Sequence, residues 1–393
     1  MRADDFFADE RRRRVAQGLQ RALRPIDGAQ DARLDIDGRS VLCLSSNNYL
    51  GLANHPLLIE AAVSAVRAYG VGAGASRLIS GSMRGHHALE AQLADFKRTD
   101  AALLFTSGYH ANLGCIASLV GPDDAVFSDA LNHASLIDGC RLSRAHVVVY
   151  PHNDVEALAE RLAMVPARRR LIVTDSVFSM DGDHAPLAAL CDLAERYEAM
   201  LMVDEAHATG VLGARGAGLV EALGLSARVT VQMGTLGKAL GGFGAYVAGS
   251  HGLIDFLINR ARTQIFTTAL PPPVVAAAAA ALELVQREPE RRAALRRNGQ
   301  RLRSGLQALG YDVLGTDDGH IVPVLVGGAD ATMALSARLL THDVLAHGIR
   351  PPTVADGTAR VRATVMATHT DADIDAALAA FATLAPRARV AVR

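Results

Sequence analysis

Apolar and polar positions along this 393-residue chain change their rhythm several times, and each change marks a structural unit. Residues 6–24 read as a helix, followed by a polar turn at Asp27 and Gly28 and a strand pair within residues 34–44. From residue 54 to about residue 284, short apolar runs alternate with helical patterns. The runs cover residues 101–105, 125–127, 147–150, 171–173, 200–203, 229–233 and 245–248. Strand-length runs separated by helices predict an α/β fold, with a mostly parallel seven-stranded sheet covered by helices on both faces. The alanine-rich run 274–284 follows Pro271, Pro272 and Pro273, residues that suit the first turn of a buried helix. Beyond it, residues 288–303 are charged and helical. Residues 321–326 and 360–366 read as strands, and 331–347 and 373–384 as helices. The expected division is an N-terminal arm (1–50), a large domain (51–286) and a smaller α+β C-terminal domain (287–393).

Composition narrows the function. An apolar fraction of 50% and a charged fraction of 21% are those of a soluble globular protein. A net charge of -1 removes any general electrostatic case for nucleic acid or an anionic membrane. No apolar run approaches a membrane span, and the acidic then arginine-rich start does not read as a signal peptide, so the expected compartment is the cytoplasm. Cys43, Cys115, Cys140 and Cys191 are scattered, without the paired spacing of a zinc or redox site, and read as small core residues. No metal is expected.

Chemistry concentrates where the apolar runs end, the edge of an open α/β sheet at which ligands bind. After 101–105 come Thr106, Ser107, Gly108 and Tyr109 at the start of a helix, a ready phosphate site. Asn132 and His133 follow the second run, Asp175, Ser176 and Ser179 the fourth, and Asp204, Glu205 and His207 the fifth. Thr235 and Lys238 follow the sixth. Alone, Asp204 can cap a helix, His207 can be a core histidine, Ser179 a turn residue, Thr235 an N-cap and Lys238 a surface lysine. Together at successive strand ends, they assemble an aldehyde-capturing lysine, a carboxylate and a phosphate cradle. That combination is the chemistry of pyridoxal phosphate, whose ring is an electron sink while a buried carboxylate such as Asp204 keeps its nitrogen protonated. His133 is the candidate for the ring face.

Rival motifs fail on context. Asp204-Glu205-Ala206-His207 spells an ATPase box, but no upstream phosphate loop accompanies it. Gly70-Val71-Gly72-Ala73-Gly74-Ala75 matches a dinucleotide fingerprint, but a helical pattern precedes it where a strand is required. His86-His87 lacks further metal ligands nearby and reads as structural or substrate-facing.

Several long segments resemble one family. They are Ser46-Asn47-Asn48-Tyr49-Leu50-Gly51-Leu52, Gly74-Ala75-Ser76-Arg77-Leu78-Ile79-Ser80-Gly81, residues 131–139, 175–182, 203–210, 234–238 and 266–272, and Ile349-Arg350-Pro351-Pro352-Thr353-Val354. On these the chain is similar to the α-oxoamine synthases of the pyridoxal-phosphate fold type I class, and most of all to their biotin-pathway branch. The resemblance implies condensation of L-alanine with a pimeloyl thioester, carried by coenzyme A or an acyl carrier protein, with loss of carbon dioxide. Siblings that use glycine or serine are the alternative. It also implies a homodimer with active sites at the subunit interface.

By the same resemblance, Lys238 captures the cofactor aldehyde and Asp204 meets the ring nitrogen, while His133 stacks on the ring. His207 and Ser179 bond the phenolic oxygen, and Gly108, Tyr109 and Thr235 hold the phosphate, joined by Thr267 from the neighbouring subunit. Asn47 and Arg362 take the amino-acid carboxylate, and Arg21 and Thr353 contact the acyl substrate. Arg362 shares a strand face with Arg360, and a guanidinium grips a carboxylate with two bonds. Two departures stand out. Glu205 replaces an expected aspartate, which should matter little because its side chain points away from the ring. Ala355 and Asp356 follow Val354 where proline is usual, which bears on the acyl-tail contacts.

Overall fold

The computed structural model describes residues 2–385, so Met1 of the expected arm and residues 386–393 of the expected C-terminal domain lie outside the described residues. The chain begins with α1 (Ala3–Ala16), none of whose residues is buried. The helix expected over 6–24 ends early because Gly18 takes φ 67°, a left-handed conformation that stops helices. Strands β1 (Arg33–Ile36) and β2 (Arg39–Cys43) form a hairpin. Its two-residue turn has Asp37 at φ 53° and Gly38 at φ 74°, and positive φ at both positions matches the twist of the flanking strands.

This hairpin is closed from the far end of the chain. β2 pairs in parallel with strand Val344–Leu345, and Leu34, Ile36, Val41 and Cys43 pack with Ile26, Leu340 and Leu345. The pairing explains why the helix expected over 331–347 is only Ala329–Thr341. Asp343 turns at φ 56°, and the residues after it become strand, pairing with β2 and, as His347–Ile349, with strand Ala359–Thr364. Ala359–Thr364 lies between His347–Ile349 and Ile321–Gly327 in an antiparallel four-stranded sheet.

After α2 (Pro56–Tyr69) and α3 (Arg84–Lys97), the seven apolar runs form one sheet. Its strands are β3 (Ala101–Phe105), β4 (Ala125–Asp129), β5 (His146–Tyr150), β6 (Arg170–Asp175), β7 (Met200–Asp204), β8 (Val231–Thr235) and β9 (Ala245–Gly249), in the order β3-β9-β8-β7-β6-β4-β5. Only β9 runs against the others. β8 ends two residues later than its apolar run, because its pairing with β9 runs on through Gly234 to Thr235. A Cβ on Gly234 would lie 2.4 Å from the Tyr246 hydroxyl, so only glycine fits. Leu171, Val173 and Met202 face one apolar cluster with Phe105 and Leu136, while Ile172, Leu201 and Val203 face another with Phe127 and Leu190. This period of two, apolar on both sides, is that of a sheet covered on both faces. A third cluster runs unbroken from Leu58, Leu89 and Leu236 to Leu302, Val361 and Phe381, joining the sheet to the C-terminal elements.

Glu205 corrects the expectation that it matters little. Its side chain does turn away from Asp204, but it meets Lys97 inside the protein, with side chains 0% and 1% exposed. Lys97 also donates to the Ala217 carbonyl, and Glu205 accepts the Val220 N–H at 2.9 Å. Burial alone pushes the Lys97 ammonium down, yet the Glu205 charge outweighs it and the pKa rises. Removing one partner of such a pair leaves an uncompensated buried charge. Glu205→Gln should therefore lower the unfolding free energy by about 3–5 kcal/mol, read as a shifted urea midpoint at unchanged slope.

Candidate active site

The ends of β6, β7 and β8 and the start of α4 (Gly108–Leu119) and of α5 (Ala134–Ser143) lie at the same edge of the sheet, and two hydrogen-bonded chains run across it. In the first, the Lys238 Nζ lies 2.8 Å from His207 Nε2, and His207 Nδ1 lies 2.6 Å from the Tyr49 hydroxyl. Tyr49 in turn donates to Asn47 Oδ1 at 3.0 Å. With Lys238 donating to Nε2, His207 is the Nδ1–H tautomer and every bond in the chain has one donor. Burial, then the charges of Lys238 and Arg362, hold the His207 pKa well below its usual value, so the ring is neutral.

The second chain starts at Asp204. Its Oδ2 accepts from Asn112 Nδ2 at 2.8 Å, and its Oδ1 from the Ala206 N–H at 2.8 Å. The other hydrogen of the Asn112 amide goes to Ser135 Oγ at 2.9 Å, and Ser135 Oγ lies 2.7 Å from His133 Nδ1. The Ser135 N–H also points at Nδ1, making it an acceptor and leaving the His133 proton on Nε2. The His133 backbone N–H donates to Asp175 Oδ2 at 2.7 Å. Burial, and then the neighbouring Asp204 charge, raise the Asp175 pKa well above the usual carboxylate range.

Lys238 is pulled both ways. Desolvation lowers its pKa, Asp204 and Asp175 oppose that, and the result is about 8. Two further groups are unmatched. Asp204 is buried, yet among the described residues no Lys, Arg or His nitrogen lies within 4 Å of it. Arg362 is also buried, and its bonds go to the Ser179 carbonyl and, at 3.4 Å, to Asn47 Oδ1, with no carboxylate among the described residues. Its strand neighbour Arg360 is paired with Asp181.

The remaining expected residues fall into groups. Gly108 and Tyr109 begin α4, where the first N–H groups have no helical partner, and Tyr109 donates its hydroxyl to Asp138. Thr235 ends β8, its hydroxyl on the Gly244 carbonyl at 3.1 Å. Ser179 meets Arg362 through its carbonyl. Thr267 stands apart, beside Arg77 and His86. Arg21 and Thr353 are exposed. His86 is structural: it is buried, with Nε2 on the Leu270 carbonyl at 2.8 Å.

Tyr49, Asn112 and Asp175 belong to the site although none was assigned a role from sequence. Asn112 carried a signal: a polar residue four positions after Gly108 shares its helix face. A second signal lay in the lysine count. The chain has only two lysines, Lys97 and Lys238.

The aminotransferase class I and II family matches residues 39–381. The 8-amino-7-oxononanoate synthase of Geobacter metallireducens is 54% identical over 96% of this chain and 97% of its own. The chain belongs to the 8-amino-7-oxononanoate synthase family. Among solved structures, the serine palmitoyltransferase of Sphingomonas wittichii superposes with a TM-score of 0.92 at 34% identity, covering 96% of both chains. Another SPT, solved with PLP as its internal aldimine, superposes at 0.91 with 33% identity over 96% of both chains. The resemblance to α-oxoamine synthases is thereby upheld, and the cofactor of this family is pyridoxal phosphate.

The residues fit that group. A buried carboxylate without a cation suits a protonated ring nitrogen, an amine of lowered pKa suits an aldehyde, and the start of α4 suits a phosphate. With two lysines, the fit is directly checked. An acylating reagent applied to the cofactor-free protein should label Lys238 with a midpoint near pH 8, unreactive below it and reactive above, as read by peptide mass spectrometry. Lys97 should label only on unfolding. Borohydride treatment of the loaded protein should fix a pyridoxyl group on Lys238 and none on Lys238→Ala.

Proposed function

We propose that the protein condenses L-alanine with a pimeloyl thioester, releasing carbon dioxide and the free thiol and forming 8-amino-7-oxononanoate for biotin synthesis. The observation that carries this reading is Arg362, a buried guanidinium with no carboxylate partner among the described residues, linked through Asn47, Tyr49 and His207 to the Lys238 amine. A guanidinium left open beside a reactive amine is suited to an amino acid, gripping the carboxylate while the amine works at the α-carbon.

In this reading Lys238, Asp204, His133, His207, Ser179, Gly108, Tyr109 and Thr235 hold pyridoxal phosphate. When bound, its protonated ring takes up the electron pair that proton removal leaves at the alanine α-carbon. Asp204 keeps the ring nitrogen protonated, held in place by Asn112 and the Ala206 N–H. Arg362 and Asn47 orient the alanine carboxylate. Lys238, with a pKa near 8, removes the α-proton at ordinary pH without being fully charged beforehand. The α-carbon then attacks the thioester carbonyl and the thiol leaves. The resulting β-keto acid loses carbon dioxide, and Lys238 returns a proton to the α-carbon. Neutral His207 steadies the Lys238 amine between the two proton transfers.

The acyl donor, on coenzyme A or an acyl carrier protein, approaches past Arg21 and Thr353. The working unit is a homodimer. Ile79 is 80% and Phe266 70% exposed, on segments joined by the Ala269 N–H to the Ala75 carbonyl, and such apolar exposure suits a subunit contact. It lies next to Thr267, which reaches the phosphate of the partner's site. Among the described residues no helix is long and apolar enough to cross a membrane.

A panel of alanine, glycine and serine against pimeloyl, palmitoyl and shorter thioesters, scored by thiol release, tests the function. Alanine with pimeloyl should lead, and a preference for serine with palmitoyl would move the protein to the sibling branch. Arg362→Lys should raise KM for alanine about 30-fold or more, the loss of about 2 kcal/mol of charged hydrogen bonding. Asp204→Asn should retain cofactor and lower kcat at least about a hundredfold.

A further inference from the structure

Outside the ligand-binding residues, one histidine, His152, is held between two carboxylates. Its Nδ1 lies 2.9 Å from Asp129 Oδ1 and its Nε2 2.7 Å from Asp183 Oδ2. An ionised carboxylate oxygen only accepts, so a ring bonded to carboxylates on both sides donates from both nitrogens and is an imidazolium. The ring stands edge-on to Phe178, with centroids 4.4 Å apart at 87°. Burial pushes its pKa down, but the bonds to Asp129 and Asp183 outweigh this and raise it to about 10.

Each carboxylate belongs to a loop at the active-site edge. Asp129 ends β4, and its oxygens also take the N–H groups of Leu131 and Asn153, both at 2.8 Å, so it shapes the corner that leads to His133. Asp183 lies in the turn after β6, closed by the bonds Phe178 N–H to Asp183 carbonyl, Gly182 N–H to Phe178 carbonyl and Ala185 N–H to Ser176 carbonyl. Asn153 adds a bond from its amide to Asp183 Oδ2 at 3.1 Å and another to the His184 carbonyl at 3.2 Å. The same turn offers the Ser179 carbonyl to Arg362, and Met180 and Asp181 to Arg360.

We infer that His152 is a positioning residue, a cationic clamp that ties the His133 corner to the Ser179 turn and thereby aims Arg362 at the substrate carboxylate. The inference rests on the reading of Arg362 given above. His152 touches no reacting atom. Its effect passes through Asp183 to the turn, and through the Ser179 carbonyl to the guanidinium. Gln cannot replace it, because an amide presents donors on one side and an oxygen on the other, which would face a carboxylate.

The test uses the cofactor-loaded protein with His152→Gln and, should that variant fold poorly, Asp183→Asn. Two readouts are taken: KM and kcat for the amino acid that the substrate panel selects, and amide hydrogen exchange. The expected result is a KM raised about tenfold with kcat changed far less, the scale of one lost charged hydrogen bond. Exchange should quicken at Phe178, Gly182 and Ala185, but not in strand Ile321–Gly327. The double variant should be no worse than the poorer single one, since both break the same link. Unchanged exchange in the turn, exchange quickened equally everywhere, or a turn loosened without change in KM would each overturn the clamp. Because exchange is read without substrate, a wrong assignment of the amino acid shows in the panel and leaves the exchange result standing.

Discussion

Holding the Lys238 amine out of water while keeping it beside two buried carboxylates sets the terms for everything around it. Desolvation disfavours the ammonium, and Asp204 and Asp175 favour it, so the amine is poised near pH 8, where it can take and return a proton. That balance needs carboxylates at fixed distances, and fixed distances need strand ends. β6 and β7 supply them in register, Asp175 opposite Asp204. His207 must stay neutral to accept from the amine, and its burial against Tyr49 secures that.

Several other charges inside the protein come in pairs. Lys97 meets Glu205, Arg360 meets Asp181, and Arg77 grips Glu90 with two bonds of 2.7 and 2.9 Å. Against that background Asp204 and Arg362 stand out, because among the described residues neither has an oppositely charged partner within 4 Å. Burying an uncompensated charge destabilises a fold, so two of opposite sign in one cleft mark a candidate ligand site.

The same fold carries sibling reactions, as the superposition on serine palmitoyltransferases shows. The strand ends that carry Asp175, Asp204 and Thr235 belong to that common sheet. The two ends of the chain are joined where β2 pairs with strand Val344–Leu345.

Much of this was legible in the residues alone. The seven strands, their order of appearance and the polar groups at their ends are local properties, since an apolar run and the residues after it occupy a few consecutive positions. The helix over 6–24 was overextended because one glycine with positive φ ends it, and that over 331–347 because pairing with β2 claims its last residues as strand. Neither event leaves a local signature strong enough to override helical spacing. The roles of the charged residues were least legible. Lys97 and Lys238 are the chain's two lysines, and Arg360 and Arg362 lie two positions apart on one strand, yet in each pair one is neutralised and the other left open. That difference lies with Glu205 and Asp181, which are more than a hundred residues away in sequence from the side chains they meet, and only the folded chain brings them together.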